Sequence, residues 1–251
     1  MAYEKGLILI PARYGSHRLP GKALKDIAGK TMIRRTYERC VLSGIRSMVV
    51  TDDKRIVSEC LDHSIPVDII TEKCNTGTDR VARCAEREQN VSWIINVQGD
   101  EPFANPNDIL KVAKQMESGD NREVVNGMSP ITNRDDLFSV TIPKVIAWDG
   151  LLKYISRAPV PYPYGPTEDL WKRSAMQQVC IYGFYKHHLE KFLEQSEKTN
   201  YESIEDIEIL RFHEMNIPVR MLELEGSPLH VDTPADLERA QLIAKDYDAK
   251  E

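Results

Sequence analysis

The chain has 251 residues, 41% hydrophobic and 29% charged, with a formal net charge of −6 and an isoelectric point of about 5.6. That length is ample for one domain with a sizeable core. The composition excludes disorder, and no apolar run approaches the ~18–20 residues of a membrane span. The acidic balance speaks against a nucleic-acid-binding surface while leaving room for a local basic pocket.

Met1-Ala2-Tyr3-Glu4-Lys5 leads into an apolar run without the ordered sections of a signal peptide. Five scattered cysteines (Cys40, Cys60, Cys74, Cys84 and Cys180) suit reduced thiols in a cytoplasmic protein. None forms a CxxC pair, and the six histidines show no ligand spacing with them, so a zinc site is not expected.

Strand and helix signals alternate through the first half. Gly6-Leu7-Ile8-Leu9-Ile10 reads as a buried parallel strand, followed by a Gly/Pro-punctuated loop from Pro11 to Lys22. Met32 to Leu42 carries apolar positions at helical spacing. Ser47 to Thr51 is a second strand, and Asp52 or Asp53 caps the helix after it. Val67 to Thr71 is a third strand, Thr78 or Asp79 opens a helix ending near Gln89, and Trp93 to Val97 is a fourth strand. This alternation predicts βαβ units and a mostly parallel, doubly wound, Rossmann-like sheet.

The second half is less regular. Val124 to Ile131, Lys144 to Trp148, Val179 to Tyr185 and Val219 to Leu224 read as strands, and Ile204 to Met215 as a helix. Pro159 to Pro166 holds four prolines and is a loop or extended segment. Asp232-Thr233-Pro234 starts a final helix with proline in its first turn. With no repeat or linker, residues 1–251 read as one domain with a smaller mixed-sheet lobe inserted at roughly 120–185.

The most informative stretch is Ile10-Pro11-Ala12-Arg13-Tyr14-Gly15-Ser16-His17-Arg18-Leu19-Pro20-Gly21-Lys22. Ligands of open α/β sheets bind beyond the carboxyl ends of the strands, and this loop follows the first strand. Arg13, Arg18 and Lys22 place three cations there, suited to a triphosphate. It is not a P-loop: Gly15 to Gly21 has one residue too many, and Ala23 stands where that motif needs a hydroxyl. Taken on composition alone, a solvated basic turn is the stronger reading of the loop. Two acids tip the balance. Asp100, in Gln98-Gly99-Asp100-Glu101-Pro102, ends the fourth strand, and Asp232 follows the closing strand. A helix N-cap suffices to explain Asp232 alone. Together with Asp100 and a nucleotide it forms a pair of Mg²⁺-type ligands.

These residues resemble the CMP-Kdo synthetase (3-deoxy-manno-octulosonate cytidylyltransferase) family over nearly the whole chain. The matching segments are IPARYGSHRLPGK, TGTDR (Thr76 to Arg80), NVQGDEP (Asn96 to Pro102), YISRAPVP (Tyr154 to Pro161), IYGF (Ile181 to Phe184), IEILR and VDTPADLERA. The resemblance implies transfer of CMP from CTP to the hydroxyl of a 3-deoxy sugar acid, Kdo, with release of pyrophosphate, for lipopolysaccharide or capsule synthesis. It implies that Arg13, Ser16, Arg18 and Lys22 hold the phosphates, with Lys22, Arg13, Arg18 and Asp100 catalytic. Thr76, Gly77, Thr78, Arg80 and Gln98 would lie along the CTP, and Gln98, Arg157, Gln178, Tyr182 and Glu208 along the sugar acid. Asp100 and Asp232 would bind Mg²⁺, and the protein would be a homodimer through the smaller lobe. Taken residue by residue, Arg157 also reads as a surface ion pair and Tyr182 as a core aromatic.

Two departures stand out. Gln178-Val179-Cys180 replaces the family's His-Leu-Gly, and Ile209 stands where the family has Gln; both positions face the sugar in the family. They raise a second reading, the same chemistry on an amino-Kdo, another ulosonic acid or a phosphonate. A non-catalytic nucleotide-binding homologue is a third, against which the retention of Lys22, Asp100 and Asp232 argues.

Overall fold

The computed structural model describes residues 3–16, 18–119, 121–165 and 168–248. His17 of the basic loop and Pro166 of the proline-rich segment lie outside them. In chain order the first half comprises β1 (Gly6–Ala12), a 3-10 turn (Lys22–Leu24), the short hairpin β2 (Asp26–Ile27) and β3 (Lys30–Thr31), and α1 (Met32–Val41). Then come β4 (Ser47–Thr51), α2 (Lys54–Asp62), β5 (Val67–Ile69), α3 (Gly77–Arg87), β6 (Trp93–Val97) and α4 (Pro106–Ser118). The second half has β7 (Val124–Pro130), α5 (Arg134–Phe138), β8 (Lys144–Trp148), β9 (Leu151–Ser156), α6 (Glu168–Ser174) and β10 (Met176–Tyr185). It closes with α7 (Lys186–Glu194), α8 (Asn200–Glu205), α9 (Ile209–Glu214), β11 (Val219–Glu223) and α10 (Pro234–Asp248).

The expected mostly parallel doubly wound sheet is not what forms. Nine strands run in the order β5-β4-β1-β6-β10-β7-β11-β9-β8, and β10 also pairs with β8. Strands β5, β4, β1 and β6 are parallel, as the βαβ alternation requires. At β6 the direction reverses. β10 runs antiparallel to β6, β7 and β8, β9 runs antiparallel to β8 and β11, and only β7 and β11 are parallel. The second pairing of β10 closes β10-β7-β11-β9-β8 into a five-stranded, mostly antiparallel ring. The fold is thus a mixed α/β structure built on that ring. An irregularity between Val179 and Tyr182 bends β10, which lets one ten-residue strand serve both the open sheet and the ring. Apolar runs look alike in parallel and antiparallel buried strands, so periodicity carried no sign of the reversal.

Two apolar layers sandwich the sheet. On one face Val81, Cys84 and Ala85 of α3 and Phe192 of α7 pack with Phe184, Phe212 and Ile209. On the other, Ile33 of α1, Ile56 of α2 and Val112 of α4 cover Ile8, Ile10, Ile95 and Val97. A third cluster holds α10 through Ala240 and Ala244 against Ile27, Phe103 and Val231. The predicted helix from Ile204 to Met215 is two short helices, because Asp206 between them takes a left-handed conformation with φ 52°.

Those two helices are fixed to α3 by a buried ion cluster. The Arg211 guanidinium donates to both carboxylate oxygens of Glu202 (2.6 and 2.7 Å) and to Asp79 Oδ1 (3.0 Å), and lies over the Phe192 ring. Arg211 and Glu202 are both fully buried. Removing the cation alone strands two carboxylates in the core, a change that typically costs about 3–5 kcal/mol. Arg211→Met is therefore expected to lose about that much stability in urea unfolding, and a loss below about 1 kcal/mol would contradict the role given to this cluster.

Candidate active site

The site forms where loops leave the carboxyl ends of β1 and β6. The loop after β1 folds back so that the Gly21 amide donates to the Tyr14 carbonyl. Gly21 sits at φ 66°, and a Cβ there would press on the Tyr14 ring. This turn delivers Lys22. The loop after β6 turns at Gly99, where an added Cβ would lie 2.7 Å from the Pro11 carbonyl oxygen. Only glycine lets the two loops run this close, and the contact sets Asp100 beside Lys22.

Lys22 Nζ donates to Asp100 Oδ2 (2.5 Å) and Asp232 Oδ1 (2.8 Å). Arg18 reaches Asp232 Oδ2 at 2.9 Å. The N-cap explanation of Asp232 fails: Thr233 caps α10, its hydroxyl accepting from the Asp236 amide while the Asp236 carboxylate accepts from the Thr233 amide. The Asp232 carboxylate is left to face the cations. The Val231 amide donates to the Asp100 carbonyl, so the segment before α10 is sewn to the loop after β6.

His230 completes the group and was not foreseen. Its Nε2 lies 3.2 Å from Asp232 Oδ2, and its Nδ1 lies 3.2 Å from Glu101 Oε1 and 3.7 Å from Asp100 Oδ1. The one sequence signal was its position two residues before Asp232, which puts both side chains on one side of an extended segment. Burial alone would lower the His230 pKa, but Asp100, Asp232 and Glu101 outweigh it and push it well above the usual histidine range. Burial would raise both aspartates; His230 and Lys22 instead hold them below the usual carboxylate range. Asp100, His230 and Asp232 bring ligand atoms within 4.8 Å of one another. Among the described residues, the buried Asp100 Oδ1 has no hydrogen-bond partner. An unsatisfied carboxylate oxygen is costly without a cation, and two aspartates supply the hard oxygen donors that a small dication takes. The residues fit a metal of that kind.

A second group lies at the N-terminus of α3. Thr76 and Asp79 form a capping box, so the Thr76 side chain is committed to the helix. The Glu208 carboxylate accepts from the Gly77 amide (3.1 Å) and the Thr78 amide (2.8 Å). Burial raises its pKa despite those bonds. A Cβ on Gly77 would meet the Gln98 amide at 3.3 Å, which locates Gln98 against this helix start. Arg80 is buried and donates to Asp52, a partner absent from the expected set.

The remaining residues are more dispersed. Arg13 is exposed, and Ser16 Oγ accepts from the Leu19 amide at 3.4 Å. Arg157 is not a surface ion pair: its guanidinium donates to the carbonyls of Glu205, Val140 and Asp206. Both Arg157 and Arg13 lower the Asp206 pKa, after the larger effect of the Lys198 hydrogen bond, so both lie in electrostatic reach of one carboxylate. Tyr182 is buried and stacked on Phe184. Burial, then the Cys180 thiol and Glu208, push its hydroxyl well above the usual range. Gln178 donates to Asn126 Oδ1 at 2.9 Å. Ile209, where the resemblance places a sugar-facing residue, is buried in the apolar layer with Phe212 and Leu210.

The profile of the cytidylyltransferase family matches residues 7–221. Among curated proteins, the 3-deoxy-manno-octulosonate cytidylyltransferase of Christiangramia forsetii is 33% identical over 240 residues, 94% of this chain and 95% of its own. The protein of that name from Halorhodospira halophila is 35% identical over 243 residues, 92% and 93% of the two chains. Among solved structures, a CMP:2-keto-3-deoxy-manno-octonic acid synthetase complexed with CTP superposes with a TM-score of 0.86 at 32% identity, over 96% of this chain and 99% of that one. The 4-diphosphocytidyl-2C-methyl-D-erythritol synthase of Anaerococcus prevotii, 16% identical with a TM-score of 0.64, shares the fold. A nucleotidyltransferase-type sheet with a cation-bridged acid pair beyond its strand ends defines the class. Within it, this chain belongs to the cytidylyltransferase family, in its CMP-Kdo synthetase branch.

The Glu208 bridge is directly testable. Glu208→Ala leaves two amides at a buried helix start without their acceptor and is expected to cost about 1–3 kcal/mol in urea unfolding. Glu208→Gln, which retains one carbonyl acceptor, should cost less. Equal stability of wild type and Glu208→Ala would contradict the bridge.

Proposed function

We propose that this protein transfers CMP from CTP to the hydroxyl of a Kdo-type 3-deoxy sugar acid and releases pyrophosphate. The single observation that carries the reading is the Lys22 ammonium held between Asp100 and Asp232 with Arg18 beside it. A nucleoside triphosphate needs both halves of such a site: cations for its phosphates and carboxylates for a metal. The family membership and the likeness to a CTP complex support CTP as the donor.

In this reading the acid's hydroxyl oxygen forms a bond to the α-phosphorus of CTP while the bond from that phosphorus to the bridging oxygen breaks. Such chemistry depends on positioning and charge neutralisation more than on covalent catalysis. Arg13, Ser16, Arg18 and Lys22 bind the triphosphate, and Lys22 with the two arginines stabilises charge gathering on the departing pyrophosphate. Thr76, Gly77, Thr78 and Arg80 line the cytosine and ribose, with Gln98 between nucleotide and acid. Arg157, Gln178, Tyr182 and Glu208 frame the acid. Asp100 and Asp232 would hold Mg²⁺, which when bound neutralises the α-phosphate and makes the attacking hydroxyl more acidic. His230 orients those aspartates, and Glu101 holds its Nδ1.

The broader role we infer is synthesis of activated sugar acid for lipopolysaccharide or capsule, in the cytoplasm. Five free thiols are compatible with that compartment. No helix among the described residues is long and apolar enough to cross a membrane. Residues at roughly 120–185 form the smaller lobe in this reading, used for homodimerisation and the sugar acid. Exposed Val140, Trp148, Tyr162 and Tyr164 cluster in that part of the chain and support an interface there.

Gln178 favours a second reading, the same chemistry on a different acid, since its amide is fixed to Asn126 and offers a different hydrogen-bonding face from a histidine. A panel of acids separates the two. Mg²⁺-dependent pyrophosphate release from CTP with freshly made Kdo is the expected result. Release only with an amino-Kdo, another ulosonic acid or a phosphonate would move the substrate and keep the mechanism. CTP binding with no release in the presence of any acid would overturn both.

A further inference from the structure

A second cluster of ligating groups abuts the aspartate pair. Glu101, Cys180 and His230 bring a carboxylate oxygen, a thiol sulfur and an imidazole nitrogen within 4.8 Å of one another. They come from three separate segments: the loop after β6, the irregular stretch of β10, and the strand exit before α10. This is why no sequence spacing announced them. We propose that they form a site for a thiophilic divalent cation, Zn²⁺ or Co²⁺, distinct in donor chemistry from the Asp100 and Asp232 pair.

Three observations carry this assignment. The donor set of one sulfur, one imidazole and one carboxylate is the kind that zinc selects and magnesium avoids. Tetrahedral coordination at ordinary Zn–S and Zn–N lengths puts ligand atoms roughly 3.3–3.8 Å apart, so the group needs to close only slightly around an ion. Next, Glu101 is 5% exposed and its Oε2 has no hydrogen-bond partner among the described residues, although Oε1 meets His230. An ion pair with His230 leaves that oxygen unexplained; a cation between the two groups satisfies it. Last, the two imidazole nitrogens are already divided. Nδ1 faces Glu101, while Nε2 lies 3.2 Å from the Asp232 carboxylate. A histidine that ligates through one nitrogen commonly gives the other to a carboxylate, which fixes the ring and strengthens the ligand.

Binding would replace the thiol proton of Cys180 and the proton on Nδ1 of His230, both released to solvent, with metal–sulfur and metal–nitrogen bonds. The ion would then tie together three segments that frame the aspartate pair, so its effect on the protein is a cross-link as well as a local charge.

The test uses the full chain, kept in excess Mg²⁺ so that hard oxygen sites are satisfied, and titrated with Co²⁺. The expected result is one equivalent of Co²⁺ with a thiolate-to-cobalt charge-transfer band in the near ultraviolet. The band should vanish in Cys180→Ser and in His230→Gln, persist in Cys74→Ser, and be bleached by Zn²⁺. Zn²⁺ should also raise the thermal midpoint of the wild type by several degrees and leave that of Cys180→Ser unmoved. Cobalt bound without a thiolate band, or a band that survives Cys180→Ser, would overturn the site. The absence of any band in the wild type would do so whatever the variants show.

Discussion

One ammonium group holds two carboxylates that lie far apart in the chain. Lys22 lies just after the first strand, Asp100 after the last strand of the parallel series, and Asp232 just before the final helix, and their side chains meet within 2.8 Å. Two like charges this close repel unless a cation lies between them. The contact therefore has a structural task and a chemical one. It closes the segment before α10 over the loops of β1 and β6. It also keeps both aspartates ionised and directed at one point, the condition for holding a dication against a triphosphate.

The supporting parts follow from that point. Gly21 and Gly99 permit the two loops to touch, and Thr233 with Asp236 takes over the capping of α10 so that Asp232 need not. The α3 start, with Glu208 across its first amides, stands beside Gln98, which precedes Asp100 by two residues. The antiparallel return of β10 matters because it lays Tyr182 along β6 and brings the Cys180 carbonyl to the Gln98 amide, next to the aspartate loop.

Much of this was legible in the sequence, and the limits have physical causes. The parallel half of the sheet followed from apolar runs alternating with helical spacing, and Asp53 is indeed the N-cap of α2. The basic loop and both aspartates were legible as candidates, because charge placed beyond strand ends is a local pattern. The ring was not, since strand direction is a long-range property and β9 between two turns has no strong periodicity of its own. His230 was missed because, apart from neighbouring Asp232, its partners Asp100 and Glu101 lie about 130 residues away. Arg157 shows what a local reading leaves out: taken alone it read as a surface ion pair, whereas its guanidinium donates to three backbone carbonyls from segments distant in the chain.

The most direct measurement is the turnover of Asp100→Asn beside its unfolding curve. The substitution keeps shape and most hydrogen bonding but removes one of the two charges that Lys22 bridges. The account predicts a cooperative fold with turnover reduced on the order of a hundredfold or more. Near-normal turnover in a folded Asp100→Asn protein would contradict it.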